Sequence, residues 1–476
     1  MEFTCESLSI LVVRPRTRIL MVVSFCEEEY SHGQCAHISM TSPSDGQKPA
    51  TTWQARFPIY FGWVIVAIIF TRSFTTAGAL WSTAILSVPM KEDLGWSQSA
   101  IFAGIALRTL GAAIGGFFLG KYLDTRRGAP FLAVVSGIVS GVGLMLVALV
   151  DSQWQFWLIF GVLSGLFGAG PGALLMSAIV PKWFVRKRGR TMALASMGTG
   201  FAAMILPLVV PPFVDAFEWR ATFVTLGVLT LILAVLPAFF LKTRPEDVGL
   251  RTDGDKEPEE AAARSGQTEE HSLTAKEAFR TTTLWLLIGA AFFGSFSPTA
   301  YPTNLVPTFV DRDFSLQVAG WAFAAYGFTS FTGRFFWGWL VDRIHIRRAL
   351  MIIAVYTGLT VPLLQVLPDN ASLAAGAIAG FGIGGWVGLN QVVWAAYFGR
   401  ANLGAITGKV RPLITVSGAS GPFLVAFMAD VFGGFGIGIM VMALSWWICS
   451  GFLFLVRPVK RTEQPASSQP ESATSP

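Results

Sequence analysis

Three arginines stand inside runs that are otherwise apolar: Arg72 in "VAIIFTRSFTTAGAL", Arg108 in "IFAGIALRTLGAAIGG" and Arg334 in "TSFTGRFFWGWLVDR". A guanidinium stays charged at any physiological pH and presents a planar fork of N–H donors. Its natural chemistry is anion binding, above all of a carboxylate taken at both oxygens. The central parts of the apolar runs hold no Asp, Glu or His. Nothing there neutralises the arginines or carries a proton, and a bound organic anion would supply the missing negative charge. Tyr301, Tyr326, Asn390 and Trp81 could line such a site, as could Asn304, Gln391 and Trp386. Each arginine also has a packing alternative. Arg72 could bond to carbonyls or to Thr71, Ser73, Thr75 and Thr76; Arg108 could sit in a helix-packing or gating pair; Arg334 could partner Asp342 or helix ends. Enzyme chemistry lacks its usual residues, since HExxH, GxSxG, Walker and CxxC patterns are all missing. No cofactor or metal is expected.

The elements that must position these groups are membrane helices. Of the 476 residues, 53% are hydrophobic and only 13% charged, and the mean hydropathy is +0.56. A soluble chain carries about 25% charged residues. Apolar segments near the roughly 20 residues that cross a bilayer follow one another at short intervals. The predicted spans are 60–82, 98–119, 130–150, 156–180, 191–213, 221–241, 283–306, 318–341, 350–367, 373–396, 406–429 and 436–456. Arg72 and Arg108 then fall near mid-bilayer, and Arg334 roughly 12 Å from the end of its span. Glycine is abundant, at 49 residues, which suits close helix packing in lipid. The fold class is therefore all-α, a polytopic membrane protein of twelve helices in a lipid surround.

Alternate loops are basic ("GKYLDTRRGAP", "PKWFVRKRGR", "LKTRPED", "VDRIHIRRA", "YFGRANLGAITGK"), as is the tail "RPVKR". By the positive-inside rule both termini are cytoplasmic. The net charge of +6 is thereby topological, dispersed over five loops and a tail, and no nucleic-acid partner is implied. Residues 1–56 form an extension expected to be disordered: "SILVVRPRTRILMVV" is too interrupted by arginine to span, and Met40 in "MTSPSDGQ" reads as an alternative start. Cys5, Cys26 and Cys35 lie there and Cys449 stands alone in a span, so no disulfide framework follows. The polar tail 458–476 is likewise expected to be disordered.

An internal repeat organises the rest. "GKYLD" and "GWLVD" place Asp124 and Asp342 in the same position, 218 residues apart, and Gly189 with Asp215 recurs as Gly404 with Asp430 at an offset of 215. Two six-helix halves result, 57–241 and 282–457, joined by an acidic cytoplasmic linker over 242–281 without apolar periodicity.

Twelve spans in two halves, with G-x-x-x-D-x-x-R/R-G at Gly120 to Gly128 and its echo at Gly338 to Arg348, resemble the major facilitator superfamily. "GWSQSAIFAG", "WFVRKRGRTMALA", "EWRATF", "TRPEDVGL" and "YFGRANLGAITG" resemble, within it, the oxalate/formate antiporters and monocarboxylate transporters. The resemblance implies alternating access of two rocking halves about a midplane site. It also implies gating by Asp124, Arg126, Arg127, Asp342 and Arg343, through ion pairs or helix N-termini at the cytoplasmic ends. In monocarboxylate transporters an arginine of the eighth span is thought to hold the substrate carboxylate, and Arg334 falls there. Two positions depart from that pattern: an acid one turn earlier is Ser330 here, and a lysine late in the first span is Trp81. The oxalate-type lysine of the eleventh span has no match either. The expected protein is a monomeric plasma-membrane secondary transporter of a small organic anion, a mono- or dicarboxylate, with a co-transported proton or an exchanged anion. The alternatives are an exporter of drugs or amphiphilic solutes, which "GTGFAAMILPLVVPP" echoes, and a transport-inactive receptor or scaffold.

Overall fold

The structure is a computed structural model, and it describes residues 6–14, 17–25, 58–120, 122, 125, 128–254, 274–399 and 403–457. Its body is helical: α1 Gly62–Leu94, α2 Gln98–Leu119, α3 Gly128–Val147, α4 Gln153–Trp183, α5 188–217, α6 219–238, α7 Thr282–Val310, α8 Leu316–Val341, α9 Ile346–Val366, α10 Asp369–Phe398, α11 Leu403–Phe432 and α12 Gly436–Leu455. Among the described residues, ten helical stretches are long and apolar enough to cross a membrane. One of these, Gly189–Ala238, has 50 residues, about 75 Å of helix and more than twice the hydrocarbon thickness. It breaks at Glu218, whose φ of 63° and ψ of 165° no helix accommodates, and so supplies two rods. The remaining rod, α8, has 26 residues but is diluted by Arg334, Tyr326 and several hydroxyls.

Helix starts follow capping chemistry. Ser97, Thr281 and Ser315 accept from the backbone N–H groups of Ala100, Leu284 and Val318 at the starts of α2, α7 and α8. α1 runs on past its apolar stretch through "PMKEDL" and stops where Gly95 turns left-handed, φ 65°. A belt of large apolar side chains, Phe117, Phe131, Leu149, Phe239 and Phe454 among them, faces outward and is more than half exposed. Such a surface is at home in lipid and would associate in water.

Within the halves, α2 packs on α4 and α8 on α10; between them, α5 packs on α8, α2 on α11 and α1 on α7. The repeat is visible atom by atom. A Cβ on Gly115 of α2 would lie 1.9 Å from the carbonyl oxygen of Leu166, and one on Gly333 of α8 2.3 Å from that of Phe381. On the partner helices, a Cβ on Gly165 would lie 2.7 Å from the Arg108 carbonyl oxygen and one on Gly380 2.6 Å from that of Tyr326. These pairs obey the same two offsets, 218 and 215. One turn further the correspondence slips by a residue, since Gly170 meets Ala112 O whereas Gly384 meets Ser330 O. The cause is local: residues Trp157–Ala169 of α4 are π-helical, and a π turn absorbs an extra residue between the same two contacts.

Part of the extension expected to be disordered is paired, and part of the linker is packed on the body. Glu6–Arg14 (β1) and Thr17–Phe25 (β2) pair antiparallel from Glu6↔Phe25 to Arg14↔Thr17. Both runs are rich in Val, Ile and Leu and a two-residue connection joins them, a hairpin pattern. The remainder of 1–56 and all of the tail 458–476 lie outside the described residues. The linker is docked over its first third. Trp183 Nε1 donates to Lys242 O at 3.1 Å, Tyr60 Oη donates to Arg251 O at 2.8 Å, and Thr243 and Val248 are buried. Asp253 then accepts from the backbone N–H groups of Val185, Arg186 and Lys187 at 2.9, 2.8 and 3.3 Å, just ahead of α5. Asp253→Ala strands those three donors and should cost about 2 kcal/mol locally. Tryptic cleavage at Arg251 is then expected to speed up about 30-fold, the ratio that free energy corresponds to. An unchanged rate would mean that the strap is held by its apolar contacts alone.

Candidate functional site

The candidate residues fall into three groups. Arg72 and Arg108 converge inside the N-terminal half. Arg72 is 2% exposed and points from α1 toward α3 and α4: Nη2 donates to Ser136 Oγ at 2.6 Å. Cβ atoms on Gly137 and Gly172 would come within 3.2 and 3.0 Å of its Nη atoms, so those two glycines make the slot that the guanidinium fills. Arg108, 5% exposed, reaches back from α2 to α1, where Nη2 donates to Thr76 O at 3.3 Å, and its guanidinium lies 5.3 Å from the Phe160 ring centroid. Thr76 Oγ1 shares the Gly172 position with Arg72, at 3.4 Å from the same Cβ. Both Nε atoms are buried without a hydrogen-bond partner.

Arg334 stands apart, on the face where α8 meets α5 of the other half. Its Nη1 lies 3.8 Å from the Cβ position of Gly200, and Phe331 lies 3.3 Å from that position. Its Nε is buried and unpartnered, and Tyr326, two turns earlier on α8, lies within electrostatic reach. From Tyr326 an aromatic run leads away from the basic-loop face. Tyr301 on α7 packs against Tyr326, tilted, at 5.7 Å, Phe323 follows at 5.9 Å, and Trp81 of α1 meets Phe323 edge-on at 5.8 Å, joining the two halves. Tyr301 Oη also donates to Gly376 O at 3.4 Å. By the repeat, Tyr326 occupies in α8 the place that Arg108 occupies in α2, so equivalent positions carry charge in one half and an aromatic hydroxyl in the other.

Asn390 belongs to the third group. With Gln391, Trp394, Thr407 and Arg411 it lines a cavity of about 320 Å³ between α10 and α11, near the basic-loop face; Arg411 Nη2 donates to Gln391 Oε1 at 3.2 Å. Trp386 and Asn304 pack instead of lining it. Trp386 meets Trp446 at 5.2 Å over Gly294, and Asn304 Nδ2 donates to carbonyls at Ala300 and Pro422.

The gating residues are only partly visible. Asp124, Arg126 and Arg127 lie outside the described residues. Asp342 is exposed and has no ion-pair partner among the described residues, while Arg343, in the turn after α8, lies over the ring of Trp339 at 3.7 Å. A contact on the opposite face was not anticipated. The Asp430 carboxylate, at the end of α11, accepts from the backbone N–H groups of Gln98 and Ser99 at 3.3 and 2.8 Å, the first turn of α2 in the other half. Gln98 Nε2 carries the link on to Ser87 of α1 at 2.7 Å. The recurrence of Asp215 as Asp430 was the sequence signal for this residue, but its partner is more than 300 positions away. On the same face, Arg220 bridges Asp93 and Asp151 within the N-terminal half and stacks on Trp219 at 4.3 Å.

Known proteins resemble this chain in sequence and in helical fold. The family model described as Major Facilitator Superfamily matches residues 64–314 and 299–476. The human protein "Monocarboxylate transporter 11" is 26% identical over 411 residues, 84% of this chain and 83% of its own. "Uncharacterized MFS-type transporter YhjX" of Escherichia coli K12 is 27% identical over 355 residues, covering 73% and 83%. A solved structure of a bacterial homologue of the human lysosomal transporter Spinster, inward-facing and unoccupied, superposes with a TM-score of 0.63 at 16% identity, over 84% of this chain and 97% of that one. The chain belongs to the Major Facilitator Superfamily, as a multi-pass membrane transport protein with a small-molecule substrate.

Proposed function

We propose that the protein moves a small organic anion, a mono- or dicarboxylate, by alternating access in the plasma membrane, with both termini cytoplasmic. The observation that carries this reading is Arg334: a guanidinium on the inter-half face with no acid to neutralise it among the described residues. Charge at membrane depth is costly and marks substrate paths. A carboxylate docking there satisfies both Coulomb and hydrogen-bonding needs. Tyr326 lies beside the anion and Tyr301 behind it, and Trp81 against Phe323 closes the site from the far face. The names of the similar proteins, monocarboxylate transporters among them, favour the same substrate class.

Counterflow in proteoliposomes tests it. Labelled mono- and dicarboxylates should exchange saturably, while drug resistance on expression without carboxylate exchange would favour the amphiphile exporter. Lack of both would leave a receptor or scaffold.

In the same reading, Asp430 latches the outer face while the cytoplasmic side is open. Asp430→Ala removes two hydrogen bonds and a charge from the α2 N-terminus, a loss of about 1 to 2 kcal/mol. The outward-open population should rise about tenfold, read as a longer distance between spin labels at Glu92 and Phe432. An unchanged distance distribution would remove Asp430 from the gate.

A further inference from the structure

We infer that Arg72 and Arg108 hold a small inorganic anion of halide size inside the N-terminal half, at a site separate from the Arg334 site. Among the described residues, the groups that partner the two guanidiniums are neutral: the Ser136 hydroxyl, the Thr76 carbonyl and the Phe160 ring face. Ser136 Oγ in turn donates to Ala133 O, and both Nε–H donors have no acceptor among the described residues. Two like charges, 2% and 5% exposed, carry a desolvation penalty that neutral acceptors offset only in part. A bound anion supplies the compensating charge and accepts the idle donors.

The walls decide the kind of anion. The groups that meet the guanidiniums come from α1, α3 and α4, with Val235 of α6 beside the Gly137 position, all elements of the N-terminal half, so an occupant travels with this half as a rigid unit. A transported substrate instead binds between the halves. The Arg72 guanidinium itself fills the slot left by Gly137 and Gly172, whose added methyl carbons would sit 3.2 and 3.0 Å from its nitrogens. Walls packed that closely suit a monatomic anion better than an organic acid. The ion would act as a structural counter-charge for the half that rocks.

Thermal unfolding of the full-length protein in detergent tests this, with sodium chloride replacing sodium methanesulfonate at constant ionic strength. The expected result is a saturable rise in melting temperature of about 3 °C or more, retained in Arg334→Gln and lost in Arg72→Gln and Arg108→Gln. No rise in the wild type, or the same rise in the Arg72 and Arg108 variants, overturns the proposal. Should those variants fail to fold, bromide soaked into crystals of the unaltered protein serves instead. An anomalous peak between α1, α2 and α4 supports the site; a peak only beside Arg334, or none, rejects it. Carboxylate counterflow is scored separately through Arg334, so the two readings fail independently.

Discussion

Arg334→Ala is expected to lower carboxylate exchange in proteoliposomes by about 100-fold while leaving the protein at least as stable. The guanidinium can give a carboxylate two charge-assisted hydrogen bonds, each about 1.5 kcal/mol or more net of water. A loss of about 3 kcal/mol corresponds to about two decades in affinity or rate. Arg334→Lys keeps the charge and loses the fork, so a smaller defect of about tenfold is expected. Stability separates this role from a structural one. Arg334 Nε is buried with no partner among the described residues, and removing an uncompensated charge from a partly buried position relieves a desolvation penalty. A structural partner of Asp342 would behave in the opposite way, losing stability with exchange. Asp342 has no such partner among the described residues, which argues for the substrate role. Undiminished exchange in a stable Arg334→Ala protein would sink the assignment.

What could be read from the chain follows from what hydropathy and spacing measure. Hydropathy senses the hydrocarbon layer, so twelve segments were legible, while the last turns of α1 through "PMKEDL" were not, because they leave the layer without leaving the helix. The offsets of 218 and 215 were legible in six residues, and they hold in the buried crossings of Gly115 with Leu166 and Gly333 with Phe381. The π turn of α4 was not, since no residue type announces it. For the arginines, depth and missing acids could be counted. Direction could not: Arg72 turns into its own half because Gly137 and Gly172 open a slot there, and Arg334 turns outward toward Gly200. The Asp253 and Asp430 contacts depend on distant backbone N–H groups, to which side-chain patterns give no clue.

Gly333→Ala should be among the most damaging methyl additions in the chain, and Gly338→Ala, on the same helix, among the most benign. At Gly333 the new carbon would sit 2.3 Å from the Phe381 carbonyl oxygen, a backbone atom of α10 that cannot rotate away. α8 and α10 would have to separate, at a cost of about 3 kcal/mol that lipid does not offset, because helices in a bilayer hold together by close packing of small residues. At Gly338 nothing lies within 4 Å, and alanine gains about 1 kcal/mol of helix propensity. Thermal unfolding followed by size-exclusion profile should therefore move in opposite directions for the two variants. Gly115→Ala should copy Gly333→Ala in the other half, with its Cβ 1.9 Å from Leu166 O. The consequence reaches the site, because the residue after Gly333 is Arg334. Pressing α8 onto α10 at the glycine fixes the rotation of α8, and that rotation aims the next side chain at α5. A Gly333→Ala protein that still folds should therefore lose carboxylate exchange by aiming Arg334 wrongly; normal exchange in such a protein would show that the arginine's direction is set elsewhere on the helix.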